Sequence, residues 1–281
     1  MKILVTGAGG QLGYDVIKAI KERNMQYISA CRTDFDITDF VAAHSFITRY
    51  KPDAVIHCSA YTAVDKAEDN FEICRNVNVT GTENIANICK EINAKMLYIS
   101  TDYVFPGNGE TYYEVDDPTG PLNVYGKTKL DGENVVRATM DKYFIVRISW
   151  VFGKNGNNFI KTILKLGKER ETINVVCDQI GSPTYTADLA LLLCDMVVTE
   201  KYGTYHATNE GVCSWAQLSE EVFKQANYKT KVNHIASSTY PTKAIRPQNS
   251  RMSKASLDKN GFARMATWQD AVSRYVLEIE G

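Results

Sequence analysis

The sequence lacks the features that mark the more specialised protein classes. Neither charge is in excess: 32 Lys and Arg stand against 33 Asp and Glu, a formal net charge of −1. Bulk charge therefore offers nothing to nucleic acid or to an anionic membrane surface. There is no long apolar run. The most hydrophobic stretch, Ala187 to Val198, is interrupted by Asp188 and Asp195 and is too short to cross a bilayer. No secretory leader is visible, because Met1-Lys2 leads straight into Ile3-Leu4-Val5 and then glycines. The seven cysteines are odd in number and show no C-x-x-C spacing, which argues against a disulfide framework and a zinc knuckle. Reduced thiols serving as small core residues are the simpler reading. The expectation is a soluble, cytoplasmic protein with no nucleic-acid and no membrane partner.

What is present is ordinary globular material. Hydrophobic residues make up 44% and charged residues 23% of 281 positions, enough to bury a full core and too apolar for disorder. Short β-branched runs alternate with longer amphipathic segments. Residues 2–6, 26–31, 54–58, 95–100 and 144–148 read as strands, and residues 11–22, 39–50, 71–93 and 124–139 as helices. Continuous apolar runs such as Ala54-Val55-Ile56 suit strands covered on both faces. The predicted architecture is α/β, a doubly wound parallel sheet of the Rossmann kind. Beyond Trp150 the rhythm changes to helices linked by short strands and polar loops, with no Gly-, Ser- or Pro-rich linker between the halves. Residues 1–150 are accordingly expected to form a dinucleotide-binding domain. Residues 151–281 are expected to form a smaller, partly interleaved substrate-binding lobe.

Three motifs carry chemistry. Gly7, Gly10 and Gly13 are spaced G-x-x-G-x-x-G between the first strand and the first helix. Composition predicts roughly 0.07 such triplets by chance, so position and spacing together point to a phosphate-binding turn rather than a plain junction. Glycines let the backbone approach a pyrophosphate, and the helix N-terminus supplies free N–H groups. Tyr125 and Lys129 form a Tyr-x-x-x-Lys pair, which a helix places on one face. There Lys129 is expected to lower the phenol pKa of Tyr125 from near ~10 and make it a usable proton donor. A second such pair, Tyr14 and Lys18, falls on the helix after the glycine turn and reads as a half-exposed face. Location favours Tyr125, because Ser100-Thr101-Asp102 follows the fourth strand, where parallel sheets hold their ligands. Taken alone, Ser-Thr-Asp is also ordinary turn chemistry.

Together these motifs resemble the extended short-chain dehydrogenase/reductase superfamily. The strings Cys58–Glu68, Ser100–Gly107, Pro121–Lys129, Ser149–Phe152, Gly156–Phe159, Asp178–Thr184 and Arg246–Ser250 resemble its dTDP-4-dehydrorhamnose reductase family over nearly the whole chain. The resemblance implies NADPH-dependent reduction of the C4 ketone of a nucleotide-linked 6-deoxy-4-ketohexose, with NADH also possible and dTDP-L-rhamnose as product. It gives Tyr125 the role of proton donor, Lys129 that of its pKa-lowering partner and a ribose ligand, and Thr101 that of a donor to the reacting oxygen. Gly7, Gly10, Gln11 and Leu12, with Gly13 closing the motif, would hold the dinucleotide phosphates. Asp36 and Ile37 match the family's adenine contact. Ala60, Tyr61 and Thr62 would line the cofactor further along, and Thr101, Asp102 and Trp150 match its sugar contacts.

One departure has a physical consequence. Where the family often has an acidic residue at the end of the second strand, this chain has Cys31 followed by Arg32. Losing a carboxylate and keeping a guanidinium favours a 2′-phosphate, although Arg32 reads equally well as a solvated surface charge. Two rival readings remain at this level. Related dehydratases and epimerases share the superfamily, but dehydratases carry Thr-Asp-Glu where Tyr103 stands here. A regulatory partner of methionine adenosyltransferase also resembles this family, and the intact Thr101, Tyr125 and Lys129 argue against that role. Some relatives pair through a metal bound by acidic side chains. The sequence shows no such ligand cluster, so a homodimer stands as possible and any metal as unassigned.

Overall fold

Strands with no polar side must be covered on both faces, and that requirement organises the molecule. The computed structural model describes residues 1–280. Six strands form one parallel sheet: β1 (Lys2–Thr6), β2 (Gln26–Ala30), β3 (Ala54–His57), β4 (Lys95–Thr101), β5 (Tyr143–Ile148) and β6 (Gly203–His206). Their order is β6-β5-β4-β3-β1-β2. The chain steps outward from β1 to β2, then back across β1 to β3 and onward to β5. That reversal opens a crevice at the carboxyl ends of β1 and β3, the place where doubly wound sheets bind ligands.

Helices α1 (Gln11–Glu22), α2 (Phe40–Tyr50), α3 (Gly81–Glu91), α4 (Val124–Thr139), α5 (Phe159–Glu169), α6 (Thr186–Val197), α7 (Trp215–Gln225) and α8 (Trp268–Glu280) supply the covering layers. Ile3 and Val5 pack with Val16, Ile20, Leu189 and Leu193 of α1 and α6 on one face. Leu4 and Val55 pack with Ile47, Ile85, Ile88 and Val136 on the other. A third core joins α5, α7 and α8 around Phe152, Leu164, Phe223 and Tyr275. Although α6 and β6 come late in the chain, α6 lies on α1 and β6 pairs with β5, so both complete the first layers.

The helix expected over residues 71–93 is broken in its middle. A helical turn at Phe71–Arg75 passes into a π-turn at Asn76–Thr80 before α3 begins. The wide turn places Asn78 inside. Its side-chain oxygen accepts from the Tyr61 N–H (2.8 Å), and its amide donates to the Tyr61 carbonyl (3.2 Å) and to Thr128 Oγ1 (3.1 Å). Such a bulge often marks a functional place, and apolar periodicity has no way to show it.

Two buried histidines close strands of the sheet at their carboxyl ends. His57 closes β3 with Nδ1 2.7 Å from Thr6 Oγ1, and His206 closes β6 with Nδ1 3.1 Å from the Ser253 carbonyl. Burial drives both down to about 3, with Lys129 adding to the effect at His57 and Arg147 at His206. In the unfolded chain they protonate near pH ~6.5, so between that pH and 3 only the unfolded state takes up their protons. Stability is complete above the unfolded value and is lost as pH falls, by up to about 1.4 kcal/mol per pH unit for each ring. Calorimetric Tm should therefore drop steadily from pH 6.5 to 4.5, with a shallower slope in His206→Gln. An equal slope in the variant would contradict the assignment.

Candidate active site

The first turn after β1 is built by glycine. Gly7 has φ +65°, and a Cβ there would sit 2.8 Å from the Ser59 amide nitrogen, so only glycine lets the turn lie against the end of β3. At Gly13 a Cβ would run into the Gly7 carbonyl oxygen, which explains how α1 packs onto the loop. Gly13 thus faces the loop's own backbone, while Gly7 and Gly10 line the crevice. The N-terminus of α1 opens at Gln11 beside it.

Two connected cavities occupy the carboxyl end of the sheet. The first, about 320 Å³, lies between the ends of β1, β2 and β3, with Arg32, Asp36, Ile37, Ala60 and Tyr61 in its wall. Asp36 accepts from the Thr38 amide (2.9 Å) and hydroxyl (2.8 Å), which together hold its carboxyl below the ordinary value, helped by Arg32 at 3.2 Å. The Arg32 side chain is 88% exposed and stands at the rim. The second cavity, about 500 Å³, contains Gln11, Leu12, Thr62, Thr101, Asp102, Tyr125, Lys129 and Trp150. Gly10, Cys58 and Ala60 line both, so the two run together as one groove.

Helix α4 sets the reactive end of that groove. Asn123 caps it by accepting from the Gly126 amide at 2.8 Å, which places Tyr125 in the first turn and Lys129 one turn on, along the same face. Thr101 is the last residue of β4. Its hydroxyl donates to Asp102 Oδ1 (3.0 Å) and accepts from the Tyr103 amide (3.2 Å). The expected lowering of the Tyr125 pKa by Lys129 is not what the geometry gives. Burial raises Tyr125 well above the ordinary phenol value, with a hydrogen bond to Thr101 opposing that rise and Asp102 adding to it. Lys129 is itself brought down to about 7 by burial, against an upward pull from Glu133. Its ammonium donates to the Ile99 carbonyl at 2.7 Å and lies 4.0 Å from the Tyr98 ring centroid. Burial favours the neutral phenol at Tyr125, the form that can give up a proton.

Asp102 is likewise pushed up to about 6 by burial, while bonds from Ser250 Oγ (2.5 Å) and Thr101 pull the other way. Trp150 follows β5 with φ +49°, a left-handed backbone that costs a bulky residue on the order of 1–2 kcal/mol. Tyr14, the rival tyrosine, lies on the solvent side of α1 at 44% exposure and away from the groove.

Several supporting residues escaped motif reasoning. Asn78 fixes the Tyr61 main chain and Ser250 holds Asp102. Glu133 underlies the Tyr125 and Lys129 face at the same helical spacing, which is a signal that spacing alone carries. Among the described residues, no group of three or more His, Cys, Asp or Glu side chains is arranged to hold a metal ion. None of the described helices is long and apolar enough to cross a membrane.

Comparison with known proteins agrees with this geometry. The sequence model described as the RmlD substrate binding domain matches residues 1–280. The dTDP-4-dehydrorhamnose reductase of Aggregatibacter actinomycetemcomitans is 37% identical over 284 residues, covering 96% of this chain and 97% of that protein. A crystal structure of a dTDP-4-dehydrorhamnose reductase from Clostridium acetobutylicum superposes with a TM-score of 0.98 at 38% identity, over 100% of both chains. That of the enzyme from Bacillus anthracis, solved in complex with NADP, gives 0.96 at 39% identity over 99% of each.

Proposed function

The chain belongs to the dTDP-4-dehydrorhamnose reductase family, and from that premise we propose that it reduces the C4 ketone of dTDP-4-dehydro-L-rhamnose to give dTDP-L-rhamnose with NADPH. The observation that carries the reading is that Thr101, Tyr125 and Lys129 line one cavity that continues to the glycine turn. The residues fit the dinucleotide, since Gly7 and Gly10 line a groove that runs from the start of α1 to Tyr125. When bound, NADPH supplies the hydride.

The protein's own part is to hold, orient and protonate. Gly7, Gly10, Gln11 and Leu12 cradle the phosphates at the start of α1, where free N–H groups and the helix dipole favour anions. Asp36 and Ile37 would hold the adenine, while Ala60, Tyr61 and Thr62 would line the path toward the nicotinamide. Lys129 binds the nicotinamide ribose. Thr101 and Tyr125 donate to the ketone oxygen, so that negative charge growing there meets two aimed hydroxyls. Tyr125 then gives up its proton to the alkoxide. Asp102 and Trp150 face the sugar. On this reading residues 1–150 hold the dinucleotide, residues 151–281 furnish a substrate lobe partly interleaved with them through α6 and β6, and the working form is a cytoplasmic homodimer. The test is spectrophotometric: NADPH should be oxidised steadily when a dTDP-4-keto-6-deoxyhexose is added, and not in its absence. No sugar-dependent oxidation would refute the proposal.

Cofactor choice follows from Cys31 and Arg32. A 2′-phosphate gains from a guanidinium by charge-assisted hydrogen bonds, and a carboxylate in the same place would repel it. NADPH should be used at least as well as NADH. Cys31→Asp should shift the kcat/KM ratio toward NADH by about tenfold or more. An unchanged ratio would show that neither residue faces the ribose.

A further inference from the structure

Trp150 is the one residue other than glycine in the wall of the second cavity held in a left-handed backbone, and something must keep its ring in place. The structure supplies that support from the other lobe. The indole of Trp215 stacks on Trp150 with ring centroids 3.7 Å apart and planes 14° from parallel. Trp215 is itself fixed on three sides. It is the first residue of α7, whose N-cap Ser214 forms a reciprocal capping box with Gln217. Its Nε1 donates to Gln179 Oε1 at 3.2 Å, and the Phe159 ring lies 4.6 Å away. Gly181 makes room for the Trp150 ring itself, because a Cβ there would come within 2.9 Å of it. Trp215 does not line the cavity itself.

We propose that Trp215 is a positioning residue for the sugar-nucleotide site, holding Trp150 in its strained, cavity-facing orientation before substrate arrives. The proposal rests on the reading of Trp150 as a sugar contact. A preorganised aromatic wall spares the substrate the cost of ordering it, so the effect belongs to sugar affinity and leaves the dinucleotide end untouched. Removing the stack frees Trp150 to relax toward an ordinary backbone conformation, away from the sugar.

The full chain provides the test, because it has only 3 tryptophans and two of them form this pair. Stacked indoles give an exciton couplet in circular dichroism, which should vanish in both Trp150→Phe and Trp215→Phe. Trp215→Ala should raise KM for the dTDP-4-keto sugar by about tenfold, with kcat within about threefold of wild type and the NADPH Kd unchanged. Trp215→Phe, which keeps an aromatic face, should recover most of the lost affinity. In a Trp150→Ala background, Trp215→Ala should add nothing further, since a residue acting only through another is not additive with it. Overturning results are a wild-type KM in Trp215→Ala, a couplet that survives it, or an equal added penalty in the Trp150→Ala background. A wild-type KM in Trp150→Ala would overturn this proposal while leaving ketone reduction intact. Absence of any sugar-dependent turnover in the wild type would instead overturn the functional reading.

Discussion

Tyr125→Phe should lower kcat by ~10²–10⁴-fold while NADPH binds nearly as before. The substitution keeps the ring, including its edge contact with Tyr103 at 5.6 Å between centroids, and deletes only the hydroxyl. On the proposed mechanism, what disappears is the transferable proton and one of two donors to the ketone oxygen. Thr101 remains, tied to Asp102 and the Tyr103 amide, so residual turnover is expected rather than none. The cofactor Kd, read from nicotinamide fluorescence, should hold because the glycine turn and Lys129 are unchanged. Turnover like that of the wild type would remove Tyr125 from the mechanism. Tyr14→Phe serves as the control and should keep full activity, since that ring lies on the solvent side of α1.

Glu133→Ala should destabilise the fold by about 3–5 kcal/mol, the cost of leaving a buried charge without its partner. The Glu133 carboxylate is 0% exposed and receives Arg147 Nε (2.9 Å), Arg147 Nη2 (2.8 Å), Arg137 Nη2 (2.8 Å) and Ser100 Oγ (2.5 Å). Burial pushes its pKa up, but the bonds and charges of Arg147, Ser100 and Arg137 together outweigh burial and hold the carboxyl below the ordinary value. A depressed carboxyl contributes stability that is present above its unfolded pKa and is lost as pH falls through the folded one. Acid lability therefore adds to that of His57 and His206. Urea unfolding gives the number, and a loss under about 1 kcal/mol would show that Arg147 finds another partner or water. Glu133 also pulls the Lys129 pKa upward, so without it Lys129 should lose its proton at lower pH, and the activity of the surviving folded fraction should fall off at lower pH than in the wild type as pH rises.

The parts that sequence made legible are those governed by local rules. Continuous apolar runs located the strands because a strand buried on both faces has no polar period to show. Helix α4 matched its expected bounds, Val124–Thr139, because Asn123 caps it and Tyr143 opens the next strand. The glycine turn was legible because its spacing and its place after β1 coincide. What escaped depends on contacts distant in sequence. Asn78 works through a π-turn that no periodicity reveals, and Ser250 meets Asp102 across the two halves of the chain. The raised pKa of Tyr125 comes from burial by the whole groove, whereas the Tyr-x-x-x-Lys spacing reports only that a cation is near. The stack of Trp150 on Trp215 joins two lobes and leaves no trace in either local pattern.

The central claim is that a hydride reaches C4 of the sugar while this protein protonates the oxygen. The most direct measurement uses NADPH deuterated at the transferring face of nicotinamide C4, with the product read by proton NMR. The account predicts a product hexose that carries deuterium at C4 and none at C3 or C5. Deuterium at another carbon, or a C4 that carries hydrogen drawn from solvent, would contradict it.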